Sequence, residues 1–427
     1  MVASSRRVVI SGIGIISPIG LDAGAYWRSM QEGRSGIRPI RTFDAAGLPV
    51  RFAGEVPEFD AKDFVEKKDR RGLKVMARTI QLAVAGAQLA LNHGKVDKSK
   101  LDPSRFGVEF GAGLIATELM DLAEAAVVSA NCQPGRVDLE KWGEQGLPAI
   151  QPLWMLKYLP NMLACHVSIL HDAQGPNNSI TESDVAGLLA LGEAYRILVR
   201  DQADFFLVGG AESKLNPLSL VRQCLFERLS RRNDEPAKAC RPFDRNRDGL
   251  VLGEGAGVFV VEELEHARRR GAKIYAEIVG FGAAFDPTLT GNGLARAVHA
   301  ALADAGIGAE EVDHINAHGL ATKDSDAWEA RCLAEVFGDR SPAVPVFAPK
   351  SYIGNLGAGG STTELAASLL AMDDGRVPPT LNYQQPDPDC PVTVLAGEPR
   401  PMTRTHVVKV SFTQMGQCAA MVVRKWN

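Results

Sequence analysis

Three short segments carry side chains that could do chemistry. His318 lies in HINAHGLATKDSD, between a predicted strand and a predicted helix, where side chains often face a cleft. Lys350 lies in PKSYIGNLGAGGSTTE, a glycine-rich stretch that leads into an alanine-rich helix. Asp184 lies in GPNNSITESDVAG, at the start of a buried helix whose dipole would activate a cysteine or serine as a nucleophile. An aspartate there is also a common helix cap, and the local sequence alone favours that role.

A fourth segment, Arg241–Gly257, is rich in both glycine and charge. Its glycines at 249, 253, 255 and 257 permit close backbone approach. Its charged side chains predict an ion-pair network within a turn before a buried strand; they are Asp244, Arg245, Arg247, Asp248 and Glu254. These glycines do not fit dinucleotide binding, because they precede a strand instead of following one. Phosphate binding by the Lys350 segment has little support, because its spacing departs from GxxxxGK[ST].

The elements that must position these segments alternate between β-rich and helical runs, which predicts α/β layering. The predicted strands are Val8–Ile16, Phe106–Phe110, Ala203–Val208, Val258–Val261, Ile274–Val279, His314–Ala317, Val344–Phe347, Val407–Val410 and Ala420–Val423. The predicted helices are Ala77–Leu91, Ala186–Val199, Leu294–Ala305, Ala327–Phe337 and Ser361–Ala371. The run AEIVGFGA resembles the opening VVISGIGI, so we predict two similar halves, 1–262 and 263–427.

Composition narrows the function classes. The 427 residues include 47 Lys+Arg and 51 Asp+Glu, a net charge of −4, which argues against a general nucleic-acid binder. Hydrophobic residues make up 45%, and no apolar run reaches the roughly 18 residues of a membrane span. The opening segment predicts a strand and turn instead of a signal peptide. Seven scattered cysteines without a CxxC pair favour reduced thiols in the cytoplasm; they are Cys132, Cys165, Cys224, Cys240, Cys332, Cys390 and Cys418.

Taken in order, the segments resemble the β-ketoacyl-acyl-carrier-protein synthase (ketosynthase) family over essentially the whole chain. RPFDRNRDGLVLGEGAGVFVVEELEHARRRGA is similar to the family's central signature, NAHGLATKDSD to its AHGTxTxxxD segment, PKSYIGNLGAGG to its KSxxGHxxGAAG segment, and VSFTQMGQ to its SFGFGGT loop. The resemblance implies an α/β thiolase fold with five layers, αβαβα, built from the two halves. It also implies a cytoplasmic dimer without a cofactor of its own, whose substrates arrive on the phosphopantetheine of an acyl carrier protein.

The departures from the family pattern fall on catalytic positions. Asp184 stands where the family has its nucleophilic cysteine, and Asn355 stands where it has its second histidine. The first histidine is kept as His318, and the lysine five residues before the second position is kept as Lys350. The resemblance therefore assigns these four residues to the catalytic centre and implies that the centre is degenerate.

The substrate-binding positions also differ. Of two threonines that usually contact the pantetheine arm, the first is Leu320 and the second is kept as Thr322. The family's glycine-rich C-terminal loop after Phe412 becomes Thr413-Gln414-Met415-Gly416. The resemblance places Thr322, Phe412, Gln414 and Gly416 at the substrate. Losing two glycines predicts a stiffer loop.

Carboxylate chemistry does not replace thiolate chemistry at this position. An acyl-aspartate is a mixed anhydride, which is less stable than a thioester, and carboxylate is the poorer nucleophile. Cys165 is the one cysteine close to the segment, and we expect it to serve in packing. We therefore predict that this chain does not condense acyl groups alone. In the favoured interpretation Asp184 caps the helix and pairs with Lys350 or His318. In the other, His318 and Asn355 polarise a malonyl thioester that decarboxylates.

Three functions stay open. The first is a partner subunit, called a chain-length factor, which pairs with a cysteine-bearing ketosynthase and shapes the acyl tunnel in fatty-acid or polyketide biosynthesis; a homodimer is the alternative assembly. That subgroup typically carries glutamine at the nucleophile position, so Asp184 departs from it too. The second is a malonyl-carrier decarboxylase or an unusual acyltransferase acting alone. The third is a non-catalytic module that binds acyl chains or carrier proteins.

Two surface predictions accompany the resemblance. The segment between Ile115 and Pro160 is expected at the dimer interface and tunnel floor. Its apolar side chains could instead be plain core; they are Met120, Trp142, Trp154 and Met155. A basic stretch could dock an acidic carrier protein, with a solvated charged turn as the alternative; it comprises Arg222, Arg228, Arg231 and Arg232.

Overall fold

A computed structural model describes residues 6–130, 133, 135–338 and 343–426, so Cys132 lies outside the described residues. The main feature is a ten-stranded mixed sheet. Its strands are β1 (Val8–Ile16), β2 (Phe106–Gly111), β3 (Asn177–Ile180), β4 (Phe205–Ser213), β5 (Glu254–Glu263), β6 (Ala276–Phe285), β7 (Val312–Asn316), β8 (Val346–Phe347), β9 (His406–Phe412) and β10 (Gln417–Lys425). Two small ladders lie outside it, Arg38–Pro39 with Phe52–Ala53 and Arg376–Val377 with Arg400–Pro401.

Helices cover and separate the strands. They are α1 (Ala23–Gln31), α2 (Arg78–His93), α3 (Leu119–Ala130), α4 (Met162–His171), α5 (Ala186–Val199), α6 (Pro217–Phe226), α7 (Leu264–Arg269), α8 (Asn292–Ala305), α9 (Lys323–Phe337) and α10 (Gly360–Asp374). Shorter helical segments include Leu139–Lys141, Leu147–Ala149, Lys350–Ile353 and the 3-10 turn Ser183–Val185. Among the described residues, no helix is both long enough and apolar enough to cross a membrane.

The sheet consists of two sets of five strands with the same connectivity. The first runs β1-β5-β4-β2-β3 and the second runs β6-β10-β9-β7-β8. In each set the first two contacts are antiparallel and the last two are parallel. The sets join where Val8, Val9 and Ile10 of β1 pair with β6. The two strands whose sequences resemble each other, β1 and β6, therefore hold equivalent positions.

The layers follow from which elements share a core. Helices α5 and α10 pack between the two strand sets in one large apolar cluster. Helices α2 and α4 cover the outer face of the first set, and α8 and α9 cover that of the second. Packing of α10 is close because Gly257 has no side chain; a Cβ there would lie 2.4 Å from the backbone nitrogen of Thr363. This arrangement is the predicted five-layered α/β thiolase fold.

All predicted strands and helices are present with shifted ends, and β1 and α5 have the predicted bounds. Strand β5 begins at Glu254, so Gly255 and Gly257 lie within the strand and not before it. The sequence interpretation missed β3, α1, α3, α4, α6 and α7. Strand β3 reads Asn-Asn-Ser-Ile and lies at the sheet edge, where it carries no apolar run that would signal a strand.

The ion-pair network predicted within Arg241–Gly257 is wrong in most of its partners. Its charged side chains pair mainly with other segments: Arg247 with Asp387 at 2.5 Å, Glu254 with Arg78 at 2.6 Å and Asp248 with Arg232 at 3.3 Å. Only Asp244 pairs inside the segment, with Arg241 at 3.5 Å. The segment therefore ties distant loops together around the site.

Candidate active site

The predicted catalytic residues meet at the loops that follow the parallel strands. Asp184 lies on the turn Ser183–Val185, which leads into α5. His318 follows β7, and Lys350 opens the short helix after β8. Two backbone hydrogen bonds hold Asn355 against the segment Arg241–Gly257. Its N–H donates to the Val251 carbonyl at 2.7 Å, and its carbonyl accepts from the Gly253 N–H at 2.9 Å.

The two substituted positions contact each other directly. The Nδ2 amide of Asn355 donates to Oδ1 of Asp184 at 3.0 Å. The Asp184 backbone carbonyl in turn accepts from the Ser411 hydroxyl at 3.1 Å, which holds the turn against β9. A carboxylate and an amide thus form a matched acceptor–donor pair at the two positions where the resemblance predicts a cysteine and a histidine.

The predicted role of Asp184 as a helix cap is not what the structure has. Val185, the residue before α5, has no side-chain cap, and neither does Glu182 before the turn. The predicted direct pairs with Lys350 or His318 are replaced by the Asn355 amide, because Lys350 is turned toward another carboxylate. The Asp184 charge still acts on Lys350, whose pKa is lowered by burial but raised more by Glu364 and Asp184, and so stays above its usual value.

That other carboxylate is Glu364 on α10, which is fully buried between two lysines. The Lys350 ammonium donates to its Oε1, and the Lys409 ammonium of β9 donates to its Oε2 at 2.5 Å. Lys409 also donates to the Ala317 carbonyl at 3.1 Å. Burial alone would raise the pKa of Glu364, but the two ammonium groups outweigh it and hold the pKa below its usual value. Burial lowers the pKa of Lys409 below its usual value, although the negative charge of Glu364 raises it in part.

His318 is buried and its ring has an unusual environment. Its backbone N–H and that of Gly319 donate to the two carboxyl oxygens of Glu329 at 2.7 and 2.8 Å, which fixes the loop. The ring packs on Phe412 with centroids 4.5 Å apart, and Nδ1 has no hydrogen-bond partner among the described residues. Burial first, and then the Lys350 and Lys409 charges, lower the pKa of His318 well below 6.5. The imidazole is therefore neutral at physiological pH.

This neutral state predicts a specific acid sensitivity. The pKa of His318 is lower in the folded chain than in the unfolded chain, so its contribution to stability is complete above about 6.5 and is lost as the pH falls. Each pH unit below that value should lower the free energy of unfolding by up to about 1.4 kcal/mol more in the wild type than in His318→Gln. Urea unfolding of both proteins at pH 7.5 and 5.5 measures this difference. If the free energy of unfolding changes equally with pH in the two proteins, the buried neutral state of His318 is contradicted.

The predicted substrate-binding residues lie around a neighbouring cavity of about 350 Å³. Thr322, Phe412 and Gln414 line it, and the ring contact between Phe412 and His318 connects it to the polar cluster. The Gln414 amide donates to Oε2 of Glu227 at 3.1 Å across the cavity wall. Gly416 ends the turn at a φ of +100°, where a Cβ would lie 2.2 Å from the Asp286 carbonyl oxygen, so no other residue fits there.

Several functional residues were missed by the sequence interpretation. Lys409, Glu364 and Glu329 complete the polar cluster, and Lys214 pairs with Glu212 at 3.2 Å beside it. Burial lowers the pKa of Lys214, but Glu212 and Asp184 raise it above its usual value. One signal was available in the sequence: a lysine at 409 interrupts the apolar run VVKV of a buried strand, where a charge needs a partner.

The segment between Ile115 and Pro160 mixes core and exposed apolar side chains. Met120 is 84% exposed and Met155 is 57% exposed, so neither is core. Trp154 packs against the cluster under α2 and α4, as plain core would. Cys165 packs on the same cluster, as expected for a packing residue. The six described cysteines are free thiols.

The basic stretch is only partly available to a partner. Arg228 pairs with Asp324 at 2.6 Å beside the cavity, and Arg232 pairs with Asp248. Arg222 and Arg231 are exposed. Two of the four arginines thus form ion pairs, and three of the four, Arg222, Arg228 and Arg231, are exposed to solvent.

Comparisons with known proteins agree with this architecture. The chain matches the family described as β-ketoacyl synthase, N-terminal domain, over residues 5–267, and β-ketoacyl synthase, C-terminal domain, over residues 275–384. A 3-oxoacyl-[acyl-carrier-protein] synthase 2 from Synechocystis sp. is 34% identical over 428 residues, which cover 99% of both chains. A protein of the same name from Vibrio cholerae is 36% identical over 391 residues, 90% of each.

Solved structures of similar fold cover the whole chain. One is described as the ishigamide ketosynthase/chain length factor, with a TM-score of 0.87, 29% identity, and coverage of 99% of this chain and 100% of that one. Another, a type II PKS acyl-carrier protein in complex with its ketosynthase bound to the hexaketide, has a TM-score of 0.86, 27% identity and the same coverage. The matched domains, the long relatives and the shared fold together place this chain in the β-ketoacyl synthase family.

Proposed function

We propose that this chain is a ketosynthase-like subunit that does not condense acyl groups itself. It would pair with a cysteine-bearing ketosynthase, shape the acyl tunnel and set chain length in fatty-acid or polyketide biosynthesis. The observation that carries the proposal is the 3.0 Å hydrogen bond between Asp184 and Asn355. It occupies the nucleophile position and the second histidine position with a mutually satisfied polar pair.

This pair is poorly suited to acyl transfer. A carboxylate that accepts a hydrogen bond is a weaker nucleophile than a free one, and its acyl product would be a reactive anhydride. Asn355 cannot exchange a proton as histidine does, because its amide is not titratable in water. The negative charge of Asp184 would also repel a malonyl carboxylate, which weighs against decarboxylation at this site.

Other features favour a role as a partner subunit over a ketosynthase that has merely lost its activity. The Lys350–Glu364–Lys409 cluster is fully bonded, and the loop turn ending at Gly416 is intact. The exposed apolar side chains of the 115–160 segment, Met120 and Met155 among them, favour a covered surface in an assembly. A ketosynthase/chain length factor is among the solved structures of similar fold.

Substrates would arrive on the phosphopantetheine arm of an acyl carrier protein, and the chain would need no cofactor of its own. The cavity lined by Thr322, Phe412 and Gln414 is the proposed place for that arm. Arg222 and Arg231 are exposed, Arg228 lines the cavity, and these arginines could attract the acidic carrier. We also propose the division into the halves 1–262 and 263–427, which the two five-strand sets support.

The test is the native mass of this chain co-expressed with a cysteine-bearing ketosynthase from the same genome neighbourhood. We expect a one-to-one heterodimer that condenses malonyl units, and products at least one extension unit shorter when Met120→Trp narrows the tunnel. Glu398→Trp, at an exposed position outside the segment, should leave the products unchanged. A homodimer that ignores the ketosynthase would overturn the proposal, and carbon dioxide release from malonyl carrier protein by this chain alone would redirect it to decarboxylation.

A further inference from the structure

The first strand set ends at an open edge. Strand β3 pairs in parallel with β2 on one side, and no described strand pairs with it on the other. Asn177 and Asn178 are exposed, and Ser179 and Ile180 are half-buried. An open edge strand offers unpaired backbone groups to another chain, so this edge is a natural surface for association.

Behind this edge lies a buried acidic side chain that has no hydrogen-bond partner among the described residues. Glu109 of β2 is only 1% exposed, and neither of its carboxylate oxygens has a hydrogen-bond partner among the described residues. Burial first, and then the charge of Glu193 on α5, raise its pKa to about 8. An isolated buried carboxylate is costly, because the desolvation it suffers is not offset by any partner.

Glu193 extends the same negative patch toward the surface. It is half-buried on α5, and the exposed amide of Asn178 on the edge strand donates to its two oxygens at 3.4 and 3.3 Å. Asn178 is also the residue that stands opposite Glu109 in the strand register. The open edge therefore carries the Glu193 carboxylate and the neutral Asn178 amide, with the buried and protonated Glu109 beneath them. A cation is the group that would pair with Glu193 and let Glu109 ionise.

We propose that the Glu109–Glu193 pair selects the partner subunit: it takes a basic side chain from a cysteine-bearing ketosynthase docked on the β3 edge, and it disfavours a second copy of this chain. The inference rests on the proposed function and adds the chemistry of the partner's surface. A symmetric dimer uses the same patch on both subunits, so a second copy would bring a second Glu193 carboxylate to this edge. A partner with lysine, arginine or histidine there would neutralise Glu193 and stabilise the ionised form of Glu109 beneath it.

The test compares the two assemblies quantitatively. Sedimentation equilibrium of the full chain, alone and mixed with the ketosynthase, gives the dissociation constants of homodimer and heterodimer. We expect the double variant Glu109→Gln/Glu193→Gln to weaken the heterodimer at least tenfold and to tighten the homodimer. The salt dependence of the heterodimer should decrease in the same variant. Glu398→Gln, which neutralises an exposed glutamate elsewhere, is the matched control and should behave as wild type.

A second variant supplies the missing cation from within. Glu193→Lys places an ammonium beside Glu109, so it should favour the homodimer and weaken the heterodimer at least tenfold. If wild type forms the heterodimer but both variants keep the affinities of Glu398→Gln, the selection inference is overturned and the proposed function stands. If wild type forms no heterodimer at all, the proposed function itself fails, and the selection inference falls with it.

Discussion

Replacing Glu364 by glutamine is expected to lower the free energy of unfolding by about 3–5 kcal/mol, the usual loss when one member of a buried ionic cluster is removed. Among the described residues, Glu364 is the carboxylate that both Lys350 and Lys409 contact, and all three side chains are buried. Glutamine keeps the size of the side chain but removes its charge, so two ammonium groups would face each other across a neutral amide. Urea unfolding followed by circular dichroism measures the loss.

Two further variants separate this effect from a general intolerance of substitution. Lys409→Met in the Glu364→Gln background removes the second ammonium group and should recover part of the lost stability. The ammonium group of Lys350 is then no longer repelled by that of Lys409. Glu66→Gln removes a carboxylate from the exposed pair with Lys68 and should leave the unfolding midpoint unchanged. A loss under 1 kcal/mol for Glu364→Gln would mean that the cluster is not ionised in the folded chain.

Some elements and contacts of the fold could be predicted from the sequence, and others could not. Long apolar periodic runs gave β1 and α5 at their observed bounds, because burial on all sides imposes a continuous pattern on the sequence. Strand β3 is polar and short because it lies at an edge, so the pattern that marks the other strands is absent. Lys409 was visible as an anomaly in an apolar strand, but its partner Glu364 lies 45 positions away and could not be paired with it from spacing.

The catalytic positions were predicted by resemblance, and the contacts of their side chains could not be predicted. Asp184 and Asn355 are separated by 171 positions, and their hydrogen bond depends on how two loops from different strand sets approach each other. Sequence reasoning on Asp184 alone favoured a helix cap, because aspartate before a helix commonly accepts from backbone N–H groups. The amide of Asn355 supplies that donor instead. The two substitutions therefore have to be understood together.

The strongest test of the degenerate site is to put the family's residues back. In Asp184→Cys/Asn355→His, the new thiol would lie at the start of α5 and close enough to Lys350 to feel its charge, two features that lower a thiol pKa. By contrast, burial raises the pKa of Cys240, Cys390 and Cys418 to about 12. We expect iodoacetamide at pH 7.5 to alkylate the new thiol of the variant at least about 100-fold faster than it alkylates the cysteines of the wild-type protein.

The acylation assay then tells whether reactivity is also catalysis. Mass spectrometry should detect an acyl group transferred from acyl carrier protein to the double variant and none on wild type. Ser183→Cys, at the exposed position one residue earlier on the same turn, is the control for a thiol that is accessible but wrongly placed. If the double variant is acylated, His318, Lys350 and Glu364 still form a working frame, and the inability of the wild type to accept an acyl group traces to residues 184 and 355. If its thiol reacts no faster than that of Ser183→Cys, the polar groups around residue 184 no longer activate a thiol, and Lys409 beside Glu364 becomes the first residue to replace.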